Sequence, residues 1–484
     1  MNLKQFLSHN QAKKVRFALI GLSVIGFLSI IWWLMNDPSR SFNKSLPGLD
    51  KRSASNDLSR NQVTKIGENF TLFGTLTTTL TGTWPRFRGE NFDNISKSTV
   101  PLTDKIGDIK KRIRWSVPLG EGHAGASIWK GAVYILDYDE AKRSDMLRCF
   151  SLVDGKELWR RWYKVNIKRN HGMSRTVSAV TEKYILSMGP RCHVMCVERD
   201  NGNFKWGIDV EKEYNAEVPL WYTGQCSLID GTTAIIATGG KALMIAVDCE
   251  TGKKLWETPN PKKWKMSHSS VMPYVLNGRK MYVYSAIGGV FGVAADGPDA
   301  GKVLWETAAW NHNVVAPSAV CMPDGKVFLT AGYGAGSMML QLKAAGNKYD
   351  VKVLQEYAPK DGLACEQQTP LYFKGHLFGI LPKDGGALRN QMVCVTPSDP
   401  KKIVWSSGKT TRFGLGPFII ADNKLFILSD EGELTIARPS ISSFEMLDHV
   451  KLMDGQDAWA PLALADGYLV LRDSKKMFCI DMRK

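Results

Sequence analysis

A tryptophan that returns at an almost fixed interval constrains this chain more than any other feature. The fullest copy of its signature is Ala246-Val247-Asp248-Cys249-Glu250-Thr251-Gly252-Lys253-Lys254-Leu255-Trp256, and poorer copies end in Trp159, Trp206, Trp305 and Trp405. From Trp159 to Trp305 the tryptophan advances by 47, 50 and 49 residues, and the 100 residues to Trp405 hold two such steps with one tryptophan lost. The unit without its tryptophan ends near Val353-Leu354-Gln355, and a further weak unit ends near Phe444-Glu445-Met446. A repeat of this length is one supersecondary unit that buries its apolar face only against copies of itself.

Each unit supplies short apolar runs with strand character, such as Ala132–Leu136, Thr233–Ala237 and Lys424–Leu428. The Gly-Lys turn joins a third strand to a fourth that ends in Trp. A lone four-stranded sheet leaves a face exposed, and packing such sheets in a ring removes the problem. The ends of the chain give the count. Residues 460–481 hold three strands of a last unit and no fourth, while Ile113-Arg114-Trp115-Ser116-Val117 is a tryptophan strand with no unit in front of it. Pairing the two closes the ring and leaves no free sheet edge at the seam. The expected fold is therefore all-β: an eight-bladed propeller of four-stranded antiparallel blades, its ring closed by an N-terminal strand.

Residues 1–16 carry Lys4, Lys13, Lys14 and Arg16 and no acid, and residues 17–35 are an uncharged apolar stretch long enough to cross a bilayer. No small-residue cleavage site follows Trp32-Trp33-Leu34-Met35, so the stretch is expected to be an uncleaved, single-pass signal anchor in the cytoplasmic membrane. The basic flank should stay in the cytoplasm and the propeller should lie on the periplasmic, extracytoplasmic side. Residues 36–83, rich in Ser, Asn, Thr and Lys, are expected to be a flexible linker, within which Phe70 to Leu80 could order against the domain, with the propeller spanning 84–484. The formal charge of +16 is concentrated at the start: residues 1–60 hold nine Lys/Arg and three Asp, leaving +10 for the remaining 424 residues. That tilt favours acidic partners or a phospholipid surface only weakly, and no nucleic-acid motif is present.

Nine cysteines in an exported domain raise the question of disulfides. Cys149, Cys196 and Cys479 stand where Ala246 stands in the signature, with Cys394 within a residue of it, which makes them small core residues of different blades. Cys192 and Cys196 are too far apart in an extended strand to bridge. Pairing among Cys226, Cys249, Cys321 and Cys365 stays open.

The Ala-x-Asp-x-x-Thr-Gly-Lys-x-Leu-Trp run at 246–256 resembles the tryptophan-docking motif of pyrroloquinoline-quinone (PQQ)-type propellers, and the repeats cover about 112–482. Quinoprotein dehydrogenases and the non-catalytic BamB-like propellers of outer-membrane assembly share that motif. Trp84-Pro85-Arg86-Phe87-Arg88-Gly89 is similar to an opening found in BamB-like and PQQ-like bacterial repeat proteins. The resemblance implies a structural docking role for Trp115, Trp159, Trp206, Trp256, Trp305 and Trp405. It implies little about activity. The vicinal Cys-Cys pair of many quinoprotein alcohol dehydrogenases and a Cys-x-x-Cys-His haem site are both missing from the sequence. A BamB lipoprotein carries a lipidated Cys after its signal, whereas the first Cys here is Cys149, so attachment is expected through the apolar helix.

The segments just before the first strand of each blade converge on one end of a propeller's channel. They bring Glu121 and His123; His171 and Arg175; Trp221, Tyr222 and Gln225; Lys265 and His268; Asn311 and His312; Glu366 and Gln367; Arg412; Asp457 and Trp459. The candidate ligand-binding set at this mouth is His123, His171, Arg175, Trp221, Lys265, His268, His312, Glu366, Arg412 and Trp459. Cations there suit an anionic or sugar-like ligand and the tryptophans suit stacking, while polar loops that merely tie blade ends together are the alternative. The histidines come from separate blades without a short metal-ligand spacing, so no metal site and no catalytic residue is assigned.

The expected function is a membrane-anchored scaffold that binds an envelope or membrane protein and carries no resident cofactor. The alternatives are a PQQ- and calcium-dependent or metal-dependent oxidoreductase of small alcohols or sugars, and a carbohydrate or cell-wall sensing module.

Overall fold

The computed structural model describes residues 9–36, 63–453 and 457–484. It contains eight antiparallel sheets, seven of four strands and one of six; six are built from four consecutive strands, while the seam blade and the six-stranded blade take strands from the N-terminal segment. The inner strands of blades 1 to 8 are Ser127–Trp129, Ala179–Val180, Leu228–Asp230, Met272–Leu276, Val320–Cys321, Leu371–Phe373, Phe418–Ala421 and Ala463–Ala465. Blade 8 takes its outer strand from Ile113–Pro118, which pairs with Lys476–Asp481. The expected eight-bladed ring and its closure are what the chain forms.

The tryptophan signature has a clear local geometry. Across the outermost strand pair, Cys149 faces Trp159, Cys196 faces Trp206, Ala246 faces Trp256, Gly292 faces Trp305, Cys394 faces Trp405 and Cys479 faces Trp115. A small residue opposite each indole leaves room for it, which explains why cysteine recurs there. All nine thiols are free, eight of them buried and Cys321 half-buried. The indoles of Trp115, Trp206 and Trp405 donate to the carbonyls of Leu152, Cys249 and Ser440 in the next blade at 2.8, 2.9 and 2.9 Å. The signature glycines do more than turn the chain. A Cβ on Gly155 or Gly252, both at φ +71°, would lie 2.7 Å from the indole of the preceding blade, Trp115 or Trp206. Trp305 differs, since its indole bonds Met281 Sδ of its own blade at 3.2 Å.

Hydroxyls add a second tie nearer the channel. Amides of Cys226, Ser270 and Ser318 donate at 2.9 Å to the side-chain oxygens of Ser270, Ser318 and Thr369, each in the following blade.

Part of the segment before the ring is ordered against blade 1. Asn69–Leu72 adds a strand to the outer edge of blade 1, opposite Trp159–Trp162, and Thr83–Trp84 pairs with its inner strand. Alternation of Phe70 and Leu72 with polar residues gives that stretch a strand pattern. The part of the linker over 37–62 lies outside the described residues.

Residues 83–96 then close the end of the channel opposite the mouth. Pro85 O accepts from Val180 N of blade 2 at 2.8 Å, and Arg86 donates to Ile229 O of blade 3 at 3.3 Å. Arg88 donates to Thr369 O and Pro370 O of blade 6 at 3.0 and 3.1 Å and to Phe92 O at 2.7 Å. Asn94 O accepts from Ile420 N of blade 7 at 2.9 Å. Arg88 is buried, and that burial, only partly opposed by Asp93, lowers its pKa to about 10. The Trp-Pro-x-Phe-Arg-Gly run is thus a plug.

By itself, His9–Met35 is a single helix whose Lys13–Met35 portion is long and apolar enough to cross a membrane.

Candidate functional site

In an antiparallel blade, the segment entering the inner strand and the turn between the second and third strands lie at the same end. Both sets form the mouth. Non-glycine residues there in the left-handed region include His171, Trp221, Tyr222, Tyr333 and Asp457 at φ +56°, +62°, +75°, +58° and +59°. Such conformations persist where the surroundings over-determine them, and they gather at binding sites.

The structure brings several of the expected residues together. His123 stacks on Trp459 with ring centroids 3.7 Å apart, and its Nε2 lies 3.1 Å from His171 O. A carbonyl only accepts, so Nε2 carries the proton and Nδ1 is the acceptor, without a partner among the described residues. Burial, then Arg175 and Arg472, pushes the His123 pKa down to about 2. Arg175 donates from Nε to Trp221 O at 2.7 Å and from Nη2 to the carbonyls of Asn170, His171 and Gly172 at 2.9, 2.9 and 3.1 Å. Its burial lowers it to about 10. His268, with its ring 6.2 Å from that of Trp221, is pushed down to about 4 by burial and then by Arg175. Glu366 is buried, its pKa raised by that burial, with Lys383 Nζ 3.9 Å away.

Other expected residues stay apart from this group. Lys265 is exposed and paired with Glu217 at 2.5 Å. His312 packs edge-on against Trp310 at 4.3 Å. Arg412 is tied to Lys409 O at 3.0 Å and to Arg389 O.

Tyr333, Lys383 and Gln368 of the mouth escaped the sequence reading. Tyr333 stacks on Trp221 at 5.6 Å and has Lys383 Nζ 5.5 Å from its ring centre, and Gln368 donates to Trp459 O at 2.9 Å and Leu415 O at 3.2 Å. Tyr333 sits in a second-to-third-strand turn, Gly332-Tyr333-Gly334. A Cβ on Gly332 would fall 2.3 Å from Glu366 Cγ, so that glycine is what lets the carboxylate approach. The Gly-Tyr-Gly turn was the available signal.

A quinone with calcium, the pair that the resemblance to dehydrogenases implies, needs an open aromatic face and converging carboxylates. Here His123 covers Trp459, Tyr333 covers Trp221, and Glu366 is driven toward its neutral form. The described residues contain no group of three or more His, Cys, Asp or Glu able to hold a metal ion. The residues present do not fit that pair.

The depressed imidazole of His123 has a measurable consequence. Between about pH 6.5 and its folded value, the unfolded chain binds a proton that folded His123 refuses. Its contribution to stability is therefore full above about pH 6.5 and falls by about 1.4 kcal/mol per pH unit as the medium acidifies. In denaturant unfolding from pH 7 to pH 5, His123→Gln should lose stability less steeply than the parent, and equal slopes would refute the assignment.

A family model described as outer membrane protein assembly factor BamB matches residues 143–385. Solved structures similar to this chain include BamB from Moraxella catarrhalis, 9% identical over 76% of this chain and 98% of that one, with a TM-score of 0.48. A quinohemoprotein alcohol dehydrogenase from Pseudomonas putida is 11% identical over 83% of this chain and 80% of that one, TM-score 0.56. The quinohemoprotein alcohol dehydrogenase from Comamonas testosteroni is 11% identical over 83% and 81%, TM-score 0.55. At these identities the dehydrogenase likeness shows a shared fold. No curated protein sequence matches the chain.

Proposed function

Because the chain belongs to the PQQ_2 family, whose model is described as outer membrane protein assembly factor BamB, we propose that it is a non-catalytic propeller scaffold. The apolar helix Lys13–Met35 would hold it in the cytoplasmic membrane, with the propeller on the extracytoplasmic side presenting the mouth to an envelope protein. The observation that supports this most is how the mouth is arranged. The imidazoles of His123 and His268 are held neutral and Arg175 donates to four backbone carbonyls of the protein itself. Such groups are engaged within the protein and shape a surface. The exposed part, Tyr333 at 47%, is an aromatic of the kind that anchors protein contacts.

A photo-crosslinking residue placed at position 333 of the full-length chain in its native membrane should give a discrete adduct with another membrane-associated protein. The same residue at position 348, beside the turn at the opposite end of blade 5, should give none. No adduct from 333, or equal adducts from both, would sink the proposal. Adding PQQ with calcium tests the oxidoreductase alternative, which a bound chromophore with dye-linked turnover would establish.

A further inference from the structure

Away from the channel, a cavity of about 940 Å³ opens on the outer rim of the mouth face, between blades 1 and 2. Three pieces of chain build it: residues 63–68, which arrive there before joining the edge of blade 1; the Lys142-Arg143 turn and Lys164-Val165-Asn166 of blade 1; and Arg191, His193 and 209–216 of blade 2. Six Lys/Arg line it against three carboxylates, Glu68, Asp209 and Glu211.

The carboxylates do not cancel that charge. Glu211 is paired with Arg191 at 2.6 Å. Asp209 accepts from Lys212 N at 3.1 Å and lies 3.7 Å from both His193 Nε2 and Lys212 Nζ. Burial would raise Asp209, but these bonds hold its pKa below the usual range, so it stays ionised and engaged. Lys65, Arg143 and Lys164 have no ion pair among the described residues, and Asn166 and Asn215 add amide donors to the wall. Low-dielectric walls concentrate such a field inside the cleft.

We propose that this cavity is an anion site for a phosphate group, of a phosphomonoester or phosphodiester, held by Arg143, Lys164 and Lys65 with the two asparagine amides. Cations and amide donors converging from separate chain segments are what a tetrahedral, multiply charged oxyanion requires, and a guanidinium adds two parallel donors. The volume is that of a small-ligand pocket. A lipid headgroup and a soluble phosphate share this chemistry. The site is independent of the scaffold reading, because none of the mouth residues discussed above lines it.

The full-length chain in phosphatidylcholine nanodiscs should be titrated by calorimetry with inorganic phosphate, with glycerol 1-phosphate and with short-chain phosphatidylglycerol. Saturable binding of inorganic phosphate or glycerol 1-phosphate supports the site with a soluble source, and binding confined to phosphatidylglycerol supports it with a headgroup source. Arg143→Ala with Lys164→Ala should weaken whichever binds by about tenfold or more. Neither side chain has an ion pair to lose among the described residues, and an unchanged melting temperature will show that the fold is kept. Should that variant unfold, Lys65→Ala alone should still weaken binding. Absence of saturable binding to all three probes, or undiminished binding in folded variants, overturns the proposal.

Discussion

Trp115→Ala is expected to lower unfolding stability by about 3–5 kcal/mol, the range for removing a buried aromatic. The residue is 8% exposed, and its indole donates 2.8 Å to Leu152 O and covers Gly155 of blade 1. Its strand is also the seam, pairing with the last strand of the chain. Loosening it exposes unpaired edges on both sides of the ring. Trp256→Ala is the control. That indole is half-buried and its nitrogen has no hydrogen bond among the described residues, so the loss there should be less than half as large. Guanidinium unfolding of the full-length chain in detergent checks this, and equal losses would show that the seam carries no special weight. Gly155→Val should be as damaging as Trp115→Ala, because a side chain there meets both the indole and a left-handed backbone.

Arg88→Met should cost a comparable amount, about 3 kcal/mol or more. Three carbonyls, those of Phe92, Thr369 and Pro370, would lose their donor in a buried place. The methionine fills similar volume, so the effect isolates the hydrogen bonds from the cavity. Arg88→Lys should fall between the two, since a point ammonium cannot reproduce the planar fork. Hydrogen exchange gives the specific readout. The amides of Val180 and Ile420, which donate to Pro85 O and Asn94 O, should exchange faster, while those inside blades 4 and 5 should not. Unchanged protection at Val180 and Ile420 would mean that the plug does not depend on Arg88.

The ring could be read from the chain because its evidence is periodic. Trp159, Trp206, Trp256 and Trp305 mark the interval, and the orphan Trp115 strand supplies the closure. The plug was not legible from pattern: residues 83–96 have no repeat, and what fixes them is contact with blades far along the chain, as between Arg88 and Thr369. At the mouth, His123, Arg175, Trp221 and Trp459 were accessible because they precede inner strands. Tyr333 and Lys383 were missed because they lie in the other set of turns at that same end. Lys265, His312 and Arg412 share the sequence position of the others, yet local partners hold them elsewhere. Sequence position selects an end of the ring but not the direction of a side chain.

The plug also sets an order of events. Residues 83–96 leave the ribosome before any blade does, and a chain matures from its N-terminus onward. A bottom seal that reaches blades 1, 2, 3, 6 and 7 from that position is not a cork pressed into a finished vessel. The five sheets it touches are each synthesised after their partner in the seal, so seal and ring take shape together.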